Sequence, residues 1–224
     1  MAVILSSAIV LSGCSSLNNT AKGGLIGGGA GAAVGAGVGV LIGKSGKSAA
    51  IGAAIGTAVG ATTGVIIGKK MDKVAEEAAK IEGARVDSIT DANNLKAIRV
   101  TFDSGILFKT GKSDLNNKSK TALIKFSKIL VDNPTMDISI MGHTDNTGTL
   151  ELNQRLSQAR AQSVADFLKL QNVPSKQLKE IAGKDYSMPV ADNNTKMGRE
   201  QNRRVEVYMY ASEKMIDEAE KEAK

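Results

Sequence analysis

The chain has one cysteine, one histidine and no tryptophan among 224 residues. A single cysteine excludes an intrachain disulfide. Cys14 and His143 lie far apart and make a poor metal set, and no cofactor is implied. Aromatic residues are 3% of the chain, and its charges of both signs are interspersed despite a formal net charge of +6. Nucleic-acid binding needs a clustered basic face with stacking aromatics, so that class is excluded as a partner. Between Gly23 and Gly68 there is no Asp or Glu, and only Lys44 and Lys47 carry charge. The lack of an acidic residue there argues against ion conduction. What that stretch holds instead is glycine, 16 of the chain's 24.

Ten of these glycines form two ladders of period four. One runs through Gly27, Gly31, Gly35, Gly39 and Gly43; the other through Gly52, Gly56, Gly60, Gly64 and Gly68. Glycine in a helix costs about 1 kcal/mol relative to alanine, so each ladder costs roughly 5 kcal/mol. Close approach of another backbone offsets that cost, which is the small-xxx-small logic of helix pairing in lipid. Gly24 to Gly43 and Ala49 to Gly68 are each 20 residues, about 30 Å as helices and comparable to the hydrocarbon thickness of a bilayer. Lys44 to Ser48 reads as the polar turn between them. The pattern predicts an apolar helical hairpin over 23–69 and resembles the glycine-zipper segments of bacterial envelope proteins.

Ahead of the ladders, Met1 to Ser12 is an apolar run too short to span a bilayer, of the length of a signal-peptide core. Leu11-Ser12-Gly13-Cys14 resembles a lipobox, which implies cleavage after residue 13 and acylation of Cys14. No Lys or Arg precedes Cys14, a departure from the basic start of such signals. Ser15 and Ser16 follow it; the absence of Asp at the second position points to the outer membrane, with outer-membrane lipid as a partner. More than one acyl chain anchors stably where a single chain does not. Residues 14–22 would form the lipidated tether.

Beyond the hairpin, Lys69 to Glu82 is charged and alanine-rich and reads as a continuation of the second helix into water, the start of a linker over 70–94. Ala84–Ile89 and Leu95–Phe102 alternate as a hairpin about Thr90–Asn94. Ser113-Asp114 reads as a helix start before the stripe Leu115, Ala122, Leu123, Phe126, Ile129 and Leu130. Met136–Met141 alternates as a strand. A second helix is predicted over Thr149 to Gln171, then strands at Leu178–Ala182 and Arg204–Tyr210. Two helices on one face of a small mixed sheet give an α/β two-layer sandwich. Residues 212–224 read as a charged helical tail with little apolar surface, expected to fray or be disordered.

Three segments of this region carry a family resemblance: Gly142-His143-Thr144-Asp145-Asn146-Thr147-Gly148, Asn153 to Val164, and Asn202-Arg203-Arg204-Val205-Glu206. Together they resemble the C-terminal domain of outer membrane protein A, shared with peptidoglycan-associated lipoprotein. The resemblance covers residues 95–211 and implies a βαβαββ domain that binds peptidoglycan at the diaminopimelate of its peptide stem. That group ends in an ammonium beside a carboxylate. Asp145 is the matching anion, and Arg160 the planar cation able to pair bidentately. Asn153 lies two helical turns from Arg160 on one face. The resemblance adds Arg203 as a supporting contact and Phe108 as a wall. Many relatives carry Asp after that aromatic; here the residue is Lys109. His143 beside Asp145 has the chemistry of a general base, but no nucleophile or metal set accompanies it, and it reads as a histidine locked at a strand end. The expected protein is a non-catalytic outer-membrane lipoprotein tethering the membrane to the cell wall, its C-terminal domain in the periplasm. The alternative is a homo-oligomeric pore or scaffold assembled through the ladders and positioned by wall binding.

Overall fold

The computed structural model describes residues 59–108 and 111–224. The signal segment, Cys14 and all of the first ladder lie outside the described residues, as do Gly52 and Gly56 of the second. Within them the order is α1 (Ala61–Ala79), β1 (Ala84–Thr90), β2 (Lys96–Asp103), α2 (Ser104–Leu107), α3 (Asn117–Asp132), β3 (Met136–Gly142), α4 (Leu150–Leu170), a 3-10 turn (Ser175–Gln177), β4 (Leu178–Gly183), α5 (Lys196–Asn202), β5 (Arg204–Ala211) and α6 (Glu213–Glu222). The five strands form one mixed sheet in the order β1-β2-β5-β3-β4. β3 and β4 are parallel and the other pairs antiparallel.

Register explains the core. Val100 pairs with Val207 and Val207 with Ile140, while Ile98 and Ile138 flank Met209. These rows are buried beneath Leu123, Phe126 and Leu130 of α3 and Val164 and Leu168 of α4. Phe102 meets Phe126 edge to face, with centroids 5.6 Å apart, a favoured aromatic geometry. Arg99, Glu206, Tyr208 and Ser139 alternate with these residues and occupy the opposite face.

Three expectations need correction. The segment after residue 69 does not run into water. α1 passes through that boundary without a break, and Ile67, Met71, Val74 and Ala78 on one stripe are buried in the main core. Gly64 and Gly68 share the buried face, and the Lys96 ammonium pairs with Asp72. The sparse apolar stripe inside a charged run is sufficient because β1 and β2 offer it a matching surface. The tail is likewise ordered against the domain. Ser212 caps α6, its hydroxyl donating to Thr135 O at 2.6 Å and accepting from Met215 N at 3.3 Å. The few apolar residues of α6, Met215, Ile216 and Ala219, all face inward beside α1. Finally, α3 starts at Asn117 with Asn116 as its cap, not at Ser113-Asp114. Leu115 bridges to Phe108, and residues 112–114 lie outside any helix or strand. Among the described residues no helix is long and apolar enough to cross a membrane.

Met71→Ala should destabilise the domain by about 2–5 kcal/mol, the usual cost of emptying a buried methionine site. Tyrosine fluorescence during urea unfolding measures it, since all three tyrosines lie between residues 186 and 210. A linker in water would give no change.

The β1–β2 turn offers a pH test. Asp91 Oδ1 accepts from Asn93 N at 2.8 Å and Leu95 N at 2.9 Å. Burial nevertheless pushes its carboxyl up from 3.8 to about 6. A raised carboxyl pKa means the folded state holds the proton more tightly. The cost of the buried charge is therefore full above pH 6 and disappears toward pH 4. Asp91→Asn should raise the melting temperature at pH 8, and the gain should vanish near pH 4.

Candidate functional site

The loop 143–149 leaves the end of β3 and enters α4. Gly142 has no room for a side chain, since a Cβ there would lie 2.1 Å from Ser157 O of α4. At Gly183 on β4 a Cβ would lie 2.5 Å from Gln158 N. These two contacts seat α4 directly on the strand ends. Gly148 turns with φ +90, a left-handed conformation that favours glycine, and Thr149 then caps α4 by accepting from Leu152 N at 3.2 Å. Backbone bonds pin the loop from both sides. His143 N donates to Arg204 O at 2.9 Å, and Thr144 N to Asp185 O at 2.9 Å.

On this frame the predicted residues converge. Asp145 Oδ1 accepts from Thr147 N at 2.9 Å, and its Oδ2 from Arg203 Nη1 at 2.5 Å. Burial would raise the Asp145 pKa, but the bonds from Arg203 and Thr147 outweigh it and hold the carboxyl below its ordinary value. Asn153 faces the same loop, its Nδ2 donating to Thr147 O at 2.9 Å; it shapes the loop that presents Asp145.

Arg160 is only 2% exposed. Its Nε donates to Lys112 O at 3.2 Å, and the guanidinium lies 5.3 Å from the centroid of the Phe108 ring. Phe108 therefore supplies a wall with a cation–π contact. The Nη1 of Arg160 is buried with no partner among the described residues. Burial, then the neighbouring Arg203 charge, bring its pKa down to about 10, with Asp145 opposing. The group stays charged at neutral pH. A buried charged donor left without an acceptor is costly, and an incoming anion relieves that cost. The site thus offers a carboxylate held between Thr147 and Arg203 and a neighbouring guanidinium whose Nη1 has no acceptor among the described residues.

Residues 107–203 match the OmpA family, and residues 1–72 match the YMGG-like Gly-zipper family. The chain carries an OmpA-family domain. Outer-membrane lipoprotein YfiB of Pseudomonas aeruginosa is 38% identical over 110 residues, covering 49% of this chain and 65% of that protein. Probable lipoprotein YiaD of Escherichia coli is 34% identical over 128 residues and covers 57% of each chain. A solved structure described as the cell wall anchor of the T6SS from Pseudomonas aeruginosa aligns with TM-score 0.53 and 27% identity, covering 63% of this chain and 97% of that one. The chain spans 33% to 65% of the length of curated relatives such as these and outer membrane protein Omp38 of Acinetobacter baumannii.

The OmpA-family domain differs from the sequence reading in how Arg203 is used. Arg203 is 34% exposed at its side chain and already ion-paired to Asp145, so it sets the charge and direction of that carboxylate. Lys109 lies outside the described residues. His143 is buried, its Nε2 3.3 Å from Glu206 Oε2. Burial lowers its pKa, so the ring is neutral at pH 7 despite the opposing pull of Glu206. Sequence reasoning missed two positioning residues. Ser157 Oγ accepts from Asp185 N at 3.1 Å, tying the β4 exit to α4. Asn202 Oδ1 accepts from Val190 N at 2.8 Å and Ala191 N at 3.0 Å, while its Nδ2 donates to Ala191 O at 2.8 Å. Asn202 stands next to Arg203 in the Asn-Arg-Arg run, yet nothing in the sequence reveals that it braces a loop eleven residues upstream.

Proposed function

We propose that this protein grips peptidoglycan non-covalently at the diaminopimelate of the peptide stem and tethers the outer membrane to the cell wall. In this reading Arg160 takes the terminal carboxylate and Asp145 the ammonium. Asn153 and Arg203 orient Asp145, and Phe108 forms a wall of the pocket. The observation that carries the reading is the buried, partly unpartnered Arg160 guanidinium beside a fixed carboxylate. Such a pair is complementary to a zwitterion. The OmpA-family match and the likeness to outer-membrane lipoproteins support it. The protein would be held by acylated Cys14 and the glycine-zipper segment, with the OmpA-family domain in the periplasm, and it would catalyse no reaction. Tethering raises effective concentration, so modest affinity for each stem suffices.

The test is retention of the full chain on purified sacculi. Free diaminopimelate should compete and lysine, which lacks the second carboxylate, should not. Retention unaffected by diaminopimelate would overturn the ligand assignment. Cys14→Ser should abolish metabolic labelling with palmitate; labelling that persists would remove Cys14 as the acylation site.

A further inference from the structure

The outer surface of α3 is positive and unneutralised. The helix Asn117–Asp132 carries Lys118, Lys120, Lys125 and Lys128 against a single acid, Asp132 at its far end. All four lysines are exposed, and none forms an ion pair among the described residues. Spacings of three, four and three place Lys118, Thr121, Lys125 and Lys128 along one face. Lys118 and Lys120 stand in the first turn, which has no acidic residue. Cations there oppose the helix dipole, so these lysines act against the stability of their own helix.

The same surface exposes aliphatic side chains. Ile124 is 39% and Val131 40% exposed, and Ile124 is four residues from both Lys120 and Lys128. Between α3 and the turn after α1 lies a cavity of about 330 Å³, lined by Lys118, Thr121, Ala122, Lys125, Gly83 and Glu82. It offers two ammonium groups and a hydroxyl to a phosphate, with Glu82 as the one carboxylate on its lining. Cations interleaved with exposed aliphatics are the signature of a surface that rests on anionic lipid. An acidic protein partner would use the charges and leave Ile124 and Val131 unexplained. Position favours lipid too. α3 packs against α1, the helix that continues the second glycine ladder, on which Lys69 and Lys73 are exposed together with Glu76.

We propose that α3 is a second, electrostatic contact with a bilayer rich in anionic phospholipid, laying the domain against the membrane when the wall site is unoccupied. The test uses the full chain carrying Cys14→Ser, with Ile124→Cys bearing a polarity-sensitive fluorophore, reconstituted into phosphatidylcholine vesicles with or without phosphatidylglycerol. Emission should shift to the blue only with phosphatidylglycerol. The shift should disappear in about 1 M salt, where charges are screened beyond about 3 Å. It should also disappear in the Lys118→Gln, Lys125→Gln, Lys128→Gln variant. A probe at Leu170→Cys, 76% exposed at the end of α4, should not respond. Sacculus retention of the triple variant should equal that of the parent, which separates this contact from wall binding and shows that the fold is intact. Equal emission in the two vesicle types, or a shift that survives the three glutamines, overturns the proposal. Loss of sacculus retention without any vesicle effect would assign the face to the wall and overturn it equally.

Discussion

Arg160→Ala should lose retention on sacculi by about 30-fold or more. Truncating one partner of a buried charged contact costs about 2–5 kcal/mol of binding. The variant removes the cation over Phe108 and the hydrogen bond from α4 to Lys112 O. Arg160→Lys separates charge from shape, since an ammonium keeps the charge but cannot pair bidentately; its retention should fall between parent and alanine. Asp145→Asn should also release the protein. Asparagine can still accept from Thr147 N, so the loop persists while the ammonium loses its counter-charge and Arg203 its ion pair. Equal retention of Arg160→Ala and parent, with the tyrosine-monitored unfolding midpoint unchanged, would remove Arg160 from the site.

The second large effect concerns the fold beneath the site. Glu206→Gln should destabilise the domain by about 3–5 kcal/mol, the cost of stranding a buried charge. Glu206 is buried on the sheet face away from the helices. Its Oε1 accepts from Arg204 Nε at 2.8 Å and its Oε2 from the Tyr208 hydroxyl at 2.6 Å, with His143 at 3.3 Å. Arg204 is itself buried and would keep its charge without a carboxylate. Burial works to raise the Glu206 pKa, but His143 and Arg204 overcome it and drive the pKa far below the usual carboxylate range. A depressed carboxyl pKa contributes stability that is complete above the unfolded value of 4.5 and is lost as pH falls below it. Urea midpoints of parent and variant should therefore differ most at neutral pH and converge progressively below pH 4.5. A constant gap would mean that the variant acts through packing rather than charge.

Much of the core was legible because its periodicity is local. Ile138 and Ile140 two apart, and Val164 and Leu168 four apart, announce a strand and a helix from neighbouring residues alone. Asp145, Arg160 and Asn153 were singled out for a different reason. Each sits in a motif that carries the family resemblance, and the structure gathers the loop and α4 at one strand end. The burial of α1 and α6 was hidden. Each offers a thin apolar stripe within a strongly charged segment, and a thin stripe is decisive only when a complementary surface exists. The Arg203–Asp145 pair was hidden as well, because the partners stand 58 residues apart and nothing local distinguishes an arginine facing a ligand from one facing a carboxylate.

By itself the sequence determined the α/β class, the hydrophobic faces and the glycine ladders, since all of these follow from composition and short-range spacing. Only the tertiary structure decided which charges meet. It paired Arg203 with Asp145 and Arg204 with Glu206, left Arg160 Nη1 buried without an acceptor among the described residues, and packed α1 and α6 into the core. Those outcomes depend on distances between segments remote in the chain, and at such distances burial and Coulomb energy, not propensity, set the result.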